Sequence, residues 1–360
     1  MRGLSVYLCQ KCSLVQSLPR IDQSERREVA VSAGAGWGNI RYGKGFRTKH
    51  AMKVLQDSGS LNRVRKCLDV GANRGSFVQA LREQIPAVEI LAVEPDGSVV
   101  DGYRNLSGIN LVVSRIESLM LPDQQYDLIY CSHTLEHLRS PHATLSQLRS
   151  SLKPDGVLFI EVPNLDFIQN ADVVEEFFID KHLYHFTVAS LTAIVRRAGL
   201  IPVPEGVYID SDNITMLLRV SDPNESIPEP REVVKAKELV SSYRANLADN
   251  YQRLRAAASN LNQLAKDNRL VVWGAGRIFD SLVRQGGLRP EQLAGLVDKV
   301  LCNLVENLHG LPVESPNSIV DMKPDVVVVA SRAYFDEIVT ELKVLVPDCD
   351  VSGLDDLLTI

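Results

Sequence analysis

Asp69, Gly71, Gly75 and Glu94 have the types and the spacing to hold a nucleoside. Asp69 lies near the end of an apolar run in CLDVGANRGSF, the glycines shape the turn that follows, and Glu94 closes the next apolar run, ILAVEPD, about 20 residues on. Glycines in such a turn let backbone approach a ligand, and a carboxylate on the second strand can accept hydrogen bonds from both ribose hydroxyls. Further along, the chain gathers histidine: five of its seven lie between 133 and 185, namely His133, His137, His142, His182 and His185. Glu136, Glu161, Asn164 and Tyr184 fall in the same stretch. Groups of this kind contact an acceptor or take a proton from it. His137 and His182 are the candidates for that work, with His133, Glu161, Asn164, Tyr184 and His185 as substrate contacts. His142, and His133 if it does not face the site, read as satisfied loop residues. A metal is not expected here, because the open face of such a site serves cofactor and substrate.

These residues need a frame. From residue 66 onward apolar runs at 67–70, 90–93, 111–113, 128–131 and 157–162 alternate with helical segments. That alternation predicts an α/β domain with a parallel-rich sheet and helices on both faces. QYDLIYCSHTLEHL reads as a strand running into a polar loop, and LKPDGVLFIEVPN as a turn followed by a buried strand. A helix is expected near 48–58 and another at 191–198, stopped by Gly199. The segments 201–208 and 213–220 read as an antiparallel pair at the sheet edge. Residues 33–46, AGAGWGNIRYGKGF, hold five glycines and read as a loop or lid.

Beyond the proline-rich SDPNESIPEP, residues 231–267 contain no Gly or Pro and carry apolar residues at alternating spacings of three and four. This predicts one amphipathic helix of about 55 Å, at 1.5 Å per residue. LVVWGAGRIFDSL then starts a second strand–turn–helix unit, with Asp298 at a strand end and PDVVVVAS as a further buried strand. Gly274, Gly276 and Asp298 suggest a nucleotide site. Phe279 stands where a dinucleotide fingerprint has its third glycine, so NAD is not expected and the alternative is a scaffold without a ligand. The resulting plan is 1–47 as an N-terminal remnant plus glycine-rich loop, 48–222 as the first α/β domain, 223–267 as linker and long helix, and 268–360 as a small Rossmann-like domain.

Bulk properties narrow the partners. The 360 residues carry a net charge of −6, which argues against a nucleic-acid scaffold. No apolar run is long enough to span a bilayer, and the N-terminus lacks the apolar core of a signal peptide, so the expected home is the cytoplasm. Cys67, Cys131 and Cys302 sit in or beside apolar runs, as core residues do. Cys9 and Cys12 form one CxxC pair. A structural zinc site takes four ligands, so zinc is not expected there unless a second chain or His50 completes the set.

The ordered series of motifs over residues 50–220 resembles the class I S-adenosylmethionine-dependent methyltransferases. That resemblance implies that the Gly71–Gly75 turn, with Asn73, cradles the methionine part of S-adenosylmethionine and that Asp69 holds its ammonium. Glu94 then binds the ribose, Pro95 and Asp96 shape the adenine edge, Ile116 and Glu117 meet the adenine ring, and Ser132 closes the pocket. The wider chain is similar to a narrower group, the sugar C-methyltransferases, which have a zinc module, a methyltransferase domain and a C-terminal Rossmann-like domain in that order. LCQKCSLVQ looks like the second half of their zinc module, and Asn73, His137 and Glu161–Val162–Pro163 match their motifs. Their Tyr-x-Glu-His base element is matched only in part, with Ile179, Lys181 and His182 in its place. Tyr42 matches an aromatic that lines the site. The resemblance implies a nucleotide-linked 4-keto sugar, methylated on carbon through an enolate, with His182 as base, His137 beside it and Lys181 supplying positive charge.

The expectation is therefore a methyltransferase for a sugar, a monomer or homodimer acting on a small molecule. The alternatives are an O-methyltransferase for a glycan or small-molecule hydroxyl, and a binding protein that keeps the fold without turnover.

Overall fold

The computed structural model describes residues 4–19, 46–104, 106–170, 178, 182–210, 213–222, 232–303, 305–331, 334–353 and 356. Tyr42, the glycine-rich loop around it, Ile179 and Lys181 lie outside the described residues. The chain divides into two compact units, and the division falls inside one long helix.

In the first unit the elements follow in chain order as β1 (Leu4–Leu8), β2 (Val15–Pro19), α1 (Phe46–Asp57), β3 (Lys66–Val70), α2 (Ser76–Gln84), β4 (Glu89–Glu94), β5 (Ile109–Val113) and β6 (Tyr126–Ser132). They continue as α3 (Pro141–Ser151), β7 (Leu152–Pro163), β8 (Tyr184–His185), α4 (Val188–Arg197), β9 (Leu200–Ile209) and β10 (Asn213–Val220). Seven strands form one sheet in the order β5-β4-β3-β6-β7-β10-β9. The first five are parallel, and β10 joins antiparallel to both β7 and β9. Strand β3 is buried from Cys67 to Val70, which is why it reads as a continuous apolar run interrupted only by Asp69. One core, with Leu68, Val70, Ile129, Leu145 and Leu148, packs on one face of the sheet. Another, with Val54, Leu55, Phe77, Leu81 and Phe159, packs on the other.

Local signals set the helix ends. Ser140 caps α3 through Ala143 N–H, with Pro141 in its first turn. Thr187 and Ser190 form a reciprocal capping box at α4. Gly199, at φ 76°, follows α4 as the sequence predicts. The LKPDG segment departs from its expected turn. It lies within β7, with Leu152 paired to Tyr126 and Val157 to Leu128, so the extra residues bulge between two points held in register. A separate sheet joins the β1–β2 hairpin to β8, pairing Val15 with His185 and Gln16 with Tyr184.

The strand order reverses between β3 and β6, leaving an opening at their carboxyl ends. Sequence motifs at 69–75 and 132–137 both fall there.

The long helix α5 spans Val233–Asp267, close to its predicted range. The second unit continues with β11 (Leu270–Trp273), α6 (Arg277–Ser281), β12 (Gly295–Val297), β13 (Asn307–Leu308), β14 (Leu311–Glu314), β15 (Val326–Val329), α7 (Phe335–Leu345) and β16 (Asp350–Gly353). Its sheet order is β13-β14-β12-β11-β15-β16, parallel except at β13, and it too reverses direction beside its first strand.

Candidate active site

The turn after β3 is built for close approach. Gly71, Asn73 and Gly75 have φ of 78°, 44° and 81°. A Cβ on Gly71 would lie 2.0 Å from the hydroxyl oxygen of Thr134, so only glycine fits beside the loop that leaves β6. Thr134 is held by donating to the Val70 carbonyl at 3.1 Å, and the Tyr103 hydroxyl donates to Ala72 O at 3.1 Å from beneath the turn. Glu94 clamps the turn to the second strand. One carboxylate oxygen accepts the Asn73 N–H at 2.8 Å and the other the Asp96 N–H at 3.0 Å. Burial pushes the Glu94 carboxyl up, partly offset by these two donors.

Asp69 is different. It is 1% exposed, and neither carboxylate oxygen has a hydrogen-bond partner among the described residues. Burial, and after it the charge of Glu94, raises its carboxyl well above the usual range. A buried carboxyl left unpartnered is costly unless a cation or donor meets it. An ammonium beside a turn of left-handed backbone fits both features, so the residues present suit the aminoacyl end of S-adenosylmethionine.

Other predicted cofactor contacts are placed unevenly. Pro95 and Asp96 are exposed beside Glu94, while Ile116 is packed in the core at 3% exposure. One oxygen of Glu117 accepts the Arg139 N–H at 2.6 Å, tying the segment after β5 to the loop after β6. The Ser132 hydroxyl donates to Glu161 at 2.8 Å, which turns it along the sheet end toward the acceptor-side residues.

Those residues converge on Glu136. Its side chain is fully buried, with His133 Nδ1 3.4 Å and His137 Nε2 3.8 Å from its Oε1. The His137 and His182 rings meet edge to face with centroids 4.8 Å apart. Burial opposes ionisation of Glu136, but the surrounding histidines, His137 first, outweigh it and hold the carboxyl at about 2. Burial lowers His182 to about 4, against the pull of Glu136, so its imidazole is neutral near pH 7. His185 is lowered to about 3, chiefly by burial, and its Nε2 lies 2.6 Å from the Ser17 hydroxyl. The Leu183 N–H donates to Glu136 O at 2.8 Å and the Ser17 N–H to Leu183 O at 2.9 Å. The N-terminal hairpin thus fixes the segment that carries His182.

Glu161 is buried and accepts from Ser132 and, at 3.4 Å, from Thr215, with His133 Nε2 3.5 Å from its Oε1. His133, at φ 47°, therefore bridges the two buried glutamates. Asn164 and Tyr184 have backbone partners of their own. The Asn164 amide donates to Asp210 O at 2.8 Å, and the Tyr184 hydroxyl donates to Arg139 O at 2.9 Å. His142 lies in the first turn of α3 rather than in a loop, with its Nε2 3.3 Å from Arg197 O. Sequence reasoning placed Glu136 in the region but missed its central position, and it missed Ser17, Thr134 and Thr215 altogether. Nothing local marks these positions, because their partners are distant in sequence.

The CxxC pair sits at the tip of the β1–β2 hairpin, where the Lys11 and Cys12 N–H groups pull the Cys9 thiol down and burial pushes Cys12 up. In the second unit, Gly274 has φ 118°, and both oxygens of Asp298 are engaged. One accepts the Ala275 N–H at 3.0 Å, the other the Val300 and Leu301 N–H groups at 2.9 and 2.8 Å. Phe279 is fully buried.

Residues 44–204 match the model of a methyltransferase domain family. The tRNA U34 carboxymethyltransferase of Syntrophotalea carbinolica is 32% identical over 28% of this chain and 33% of its own length. The C-methyltransferase NovU of Streptomyces niveus is 22% identical over 94% of this chain and 83% of its own. Among solved structures, the 1,6-didemethyltoxoflavin-N1-methyltransferase of Burkholderia thailandensis aligns at a TM-score of 0.45 with 18% identity, covering 61% of this chain and 100% of that one. The chain spans about a third of the length of the first of these relatives. No helix among the described residues is long and apolar enough to cross a membrane. The family match bears on the orphaned Asp69 and the clamped turn: both lie within residues 44–204, the stretch that is similar to methyltransferase domains.

Proposed function

We propose that the protein methylates a sugar, a nucleotide-linked 4-keto sugar in particular, on the carbon beside the keto group. When bound, S-adenosylmethionine supplies an electrophilic methyl. Asp69 holds the ammonium, Glu94 the ribose and the Gly71–Gly75 turn the backbone contacts between them. The observation that carries the acceptor side is the cluster between the end of β6 and the start of β8, where the neutral imidazole of His182 packs on His137 beside a buried carboxylate. A neutral imidazole in such a place can take a proton from carbon or lend a lone pair, and either activates an acceptor. Lys181, next in sequence to His182, adds positive charge for an enolate oxygen or a substrate phosphate. The similarity to a C-methyltransferase over most of the chain supports carbon as the methylated atom.

The test is transfer from carbon-13 methyl-labelled S-adenosylmethionine to a panel of 4-keto and 4-hydroxy nucleotide sugars, read by NMR. A new carbon-bound methyl on a keto sugar is the expected result. A methoxy signal would replace C- with O-methylation, and no transfer to any member of the panel would remove the sugar.

A further inference from the structure

We propose that Glu136, His137 and His182 bind a divalent transition-metal ion, through one carboxylate oxygen and two imidazole nitrogens. This departs from the sequence expectation that the histidine cluster holds no metal. Three observations carry it.

The first is proximity. One donor atom from each of the three side chains lies within 4.8 Å of the others, so modest side-chain rotation brings all three onto one ion. Donors at about 2.0–2.2 Å from a shared ion stand a little over 3 Å apart.

The second is the state of Glu136. Its carboxylate is completely buried, and neither oxygen completes a hydrogen bond among the described residues, although His133 Nδ1 approaches to 3.4 Å. A buried carboxylate is retained when it is paired, hydrogen-bonded or coordinating a metal, and only the last uses the bare oxygens and the two flanking imidazoles together.

The third is access. Glu136 closes the inner side of the cluster, while His137 is 38% exposed, which leaves coordination positions toward the opening for an acceptor. Three protein ligands with an open side is the arrangement of a catalytic rather than a structural metal site. Imidazole with carboxylate suits zinc and its first-row neighbours better than magnesium or calcium.

The main chain pre-sets the group. Glu136 and His137 share one short 3-10 turn, Leu135–His137, and the Glu136 carbonyl accepts the Leu183 N–H beside His182. Ser17 Oγ, 2.6 Å from His185 Nε2, braces the same segment. The role of the ion rests on the methyl-transfer reading, but its binding does not. At the acceptor end it would make a coordinated hydroxyl, or the C–H beside a coordinated keto oxygen, more acidic. With the ion bound, the ligating nitrogens of His137 and His182 act on the acceptor through it, in place of the direct proton transfer proposed for the ion-free site.

Cobalt(II) is the probe, because its visible absorption reports the donors. The full chain carrying Cys9→Ser and Cys12→Ser is titrated with Co2+ and then with Zn2+ as competitor, and S-adenosylhomocysteine affinity is measured in parallel. The expected result is one Co2+ per chain with nitrogen/oxygen-type bands, displaced by Zn2+. Affinity should fall more than about tenfold in His137→Ala and in Glu136→Gln. His137→Ala, at a partly exposed position, guards against the buried variant failing to fold. S-adenosylhomocysteine binding should be unchanged in His137→Ala. Absence of Co2+ binding, or affinity unaltered by His137→Ala, overturns the metal site. Loss of S-adenosylhomocysteine binding by the unaltered chain would overturn the methyltransferase reading instead.

Discussion

The two units share a turn and differ at one buried residue. In each, the first glycine after the central strand donates its N–H to the neighbouring strand, Gly71 to Val93 and Gly274 to Val297, both at 2.8 Å. In each, an acid after the second strand grips the turn, Glu94 through Asn73 N–H and Asp298 through Ala275 N–H. In each, the glycine abuts the loop that leaves the strand across the switch point, at Thr134 in one and Ala330 in the other. Two positions before the glycine the likeness ends. Asp69 stands there in the first unit, buried and unpartnered, and Val272 stands there in the second, buried in the apolar core. The acid that grips the turn is thus common to both units and does not tell them apart. The unsatisfied acid beneath the turn is what calls for a ligand. The ends of the later strands differ as well, with Ser132 closing β6 and His133, Glu136 and His137 after it, where Ala330 and Ser331 follow β15 in the second unit.

The comparison breaks most readily at the glycines. Gly71→Ala forces a side chain into left-handed backbone and against Thr134, and should weaken S-adenosylhomocysteine binding roughly 100-fold or more. Gly274→Ala meets the Ala330 carbonyl at 3.0 Å and should cost about 1–3 kcal/mol of stability with no change in that affinity. Calorimetric titration and denaturant melts separate the two outcomes. An affinity loss in Gly274→Ala would show that the second unit also takes the ligand.

The acids give the next effect. Glu94→Gln keeps one acceptor and loses the charge, and should lower S-adenosylhomocysteine affinity about tenfold, the worth of one charge-assisted hydrogen bond. Asp298→Asn removes an acceptor for buried backbone and should lower stability by about 1–3 kcal/mol while leaving ligand affinity alone.

A smaller effect is the pH dependence of the ligand-free protein. Burial first, and Glu94 second, hold the folded Asp69 carboxyl above its unfolded value of about 4. The folded state keeps a proton that the unfolded chain gives up, so this contribution is full below that unfolded value and is lost as pH rises through the folded one. Asp69→Val should flatten the fall in melting temperature over that window. A melting curve with the same pH slope as the parent would show that Asp69 is satisfied in the folded state.

How much of this was legible follows from how local each signal is. The alternation of buried runs gave the parallel sheet, and CLDVGANRGSF with Glu94 gave the turn, because both are written within a few dozen consecutive residues. Gly199 and the proline-free stretch of α5 were equally local. The bulge in β7 was not, since LKPDG carries turn residues and only pairing with Tyr126 and Leu128 keeps it in the strand. The acceptor side was half legible. The histidines stood out by number, but Ser17 meets His185 across 168 positions of sequence, and nothing near residue 17 announces it. Glu136 looked like one polar loop residue among several until the fold buried it among His133, His137 and His182. The side chains of Asn164 and Tyr184 each donate to a backbone carbonyl distant in sequence, Asp210 O and Arg139 O, which no local pattern announces. Asp298 matched Glu94 in sequence, and both acids accept backbone N–H groups at their own turns, so these acids alone do not separate the two units.

The measurement that bears most directly on the central contrast is the stoichiometry of S-adenosylhomocysteine binding to the full chain and to Asp69→Val, which gives the first unit the residue of the second. One molecule per chain, with binding abolished in Asp69→Val while the fold and melting transition persist, is the predicted result. Two molecules per chain, or one whose affinity Asp69→Val leaves unchanged, would contradict it.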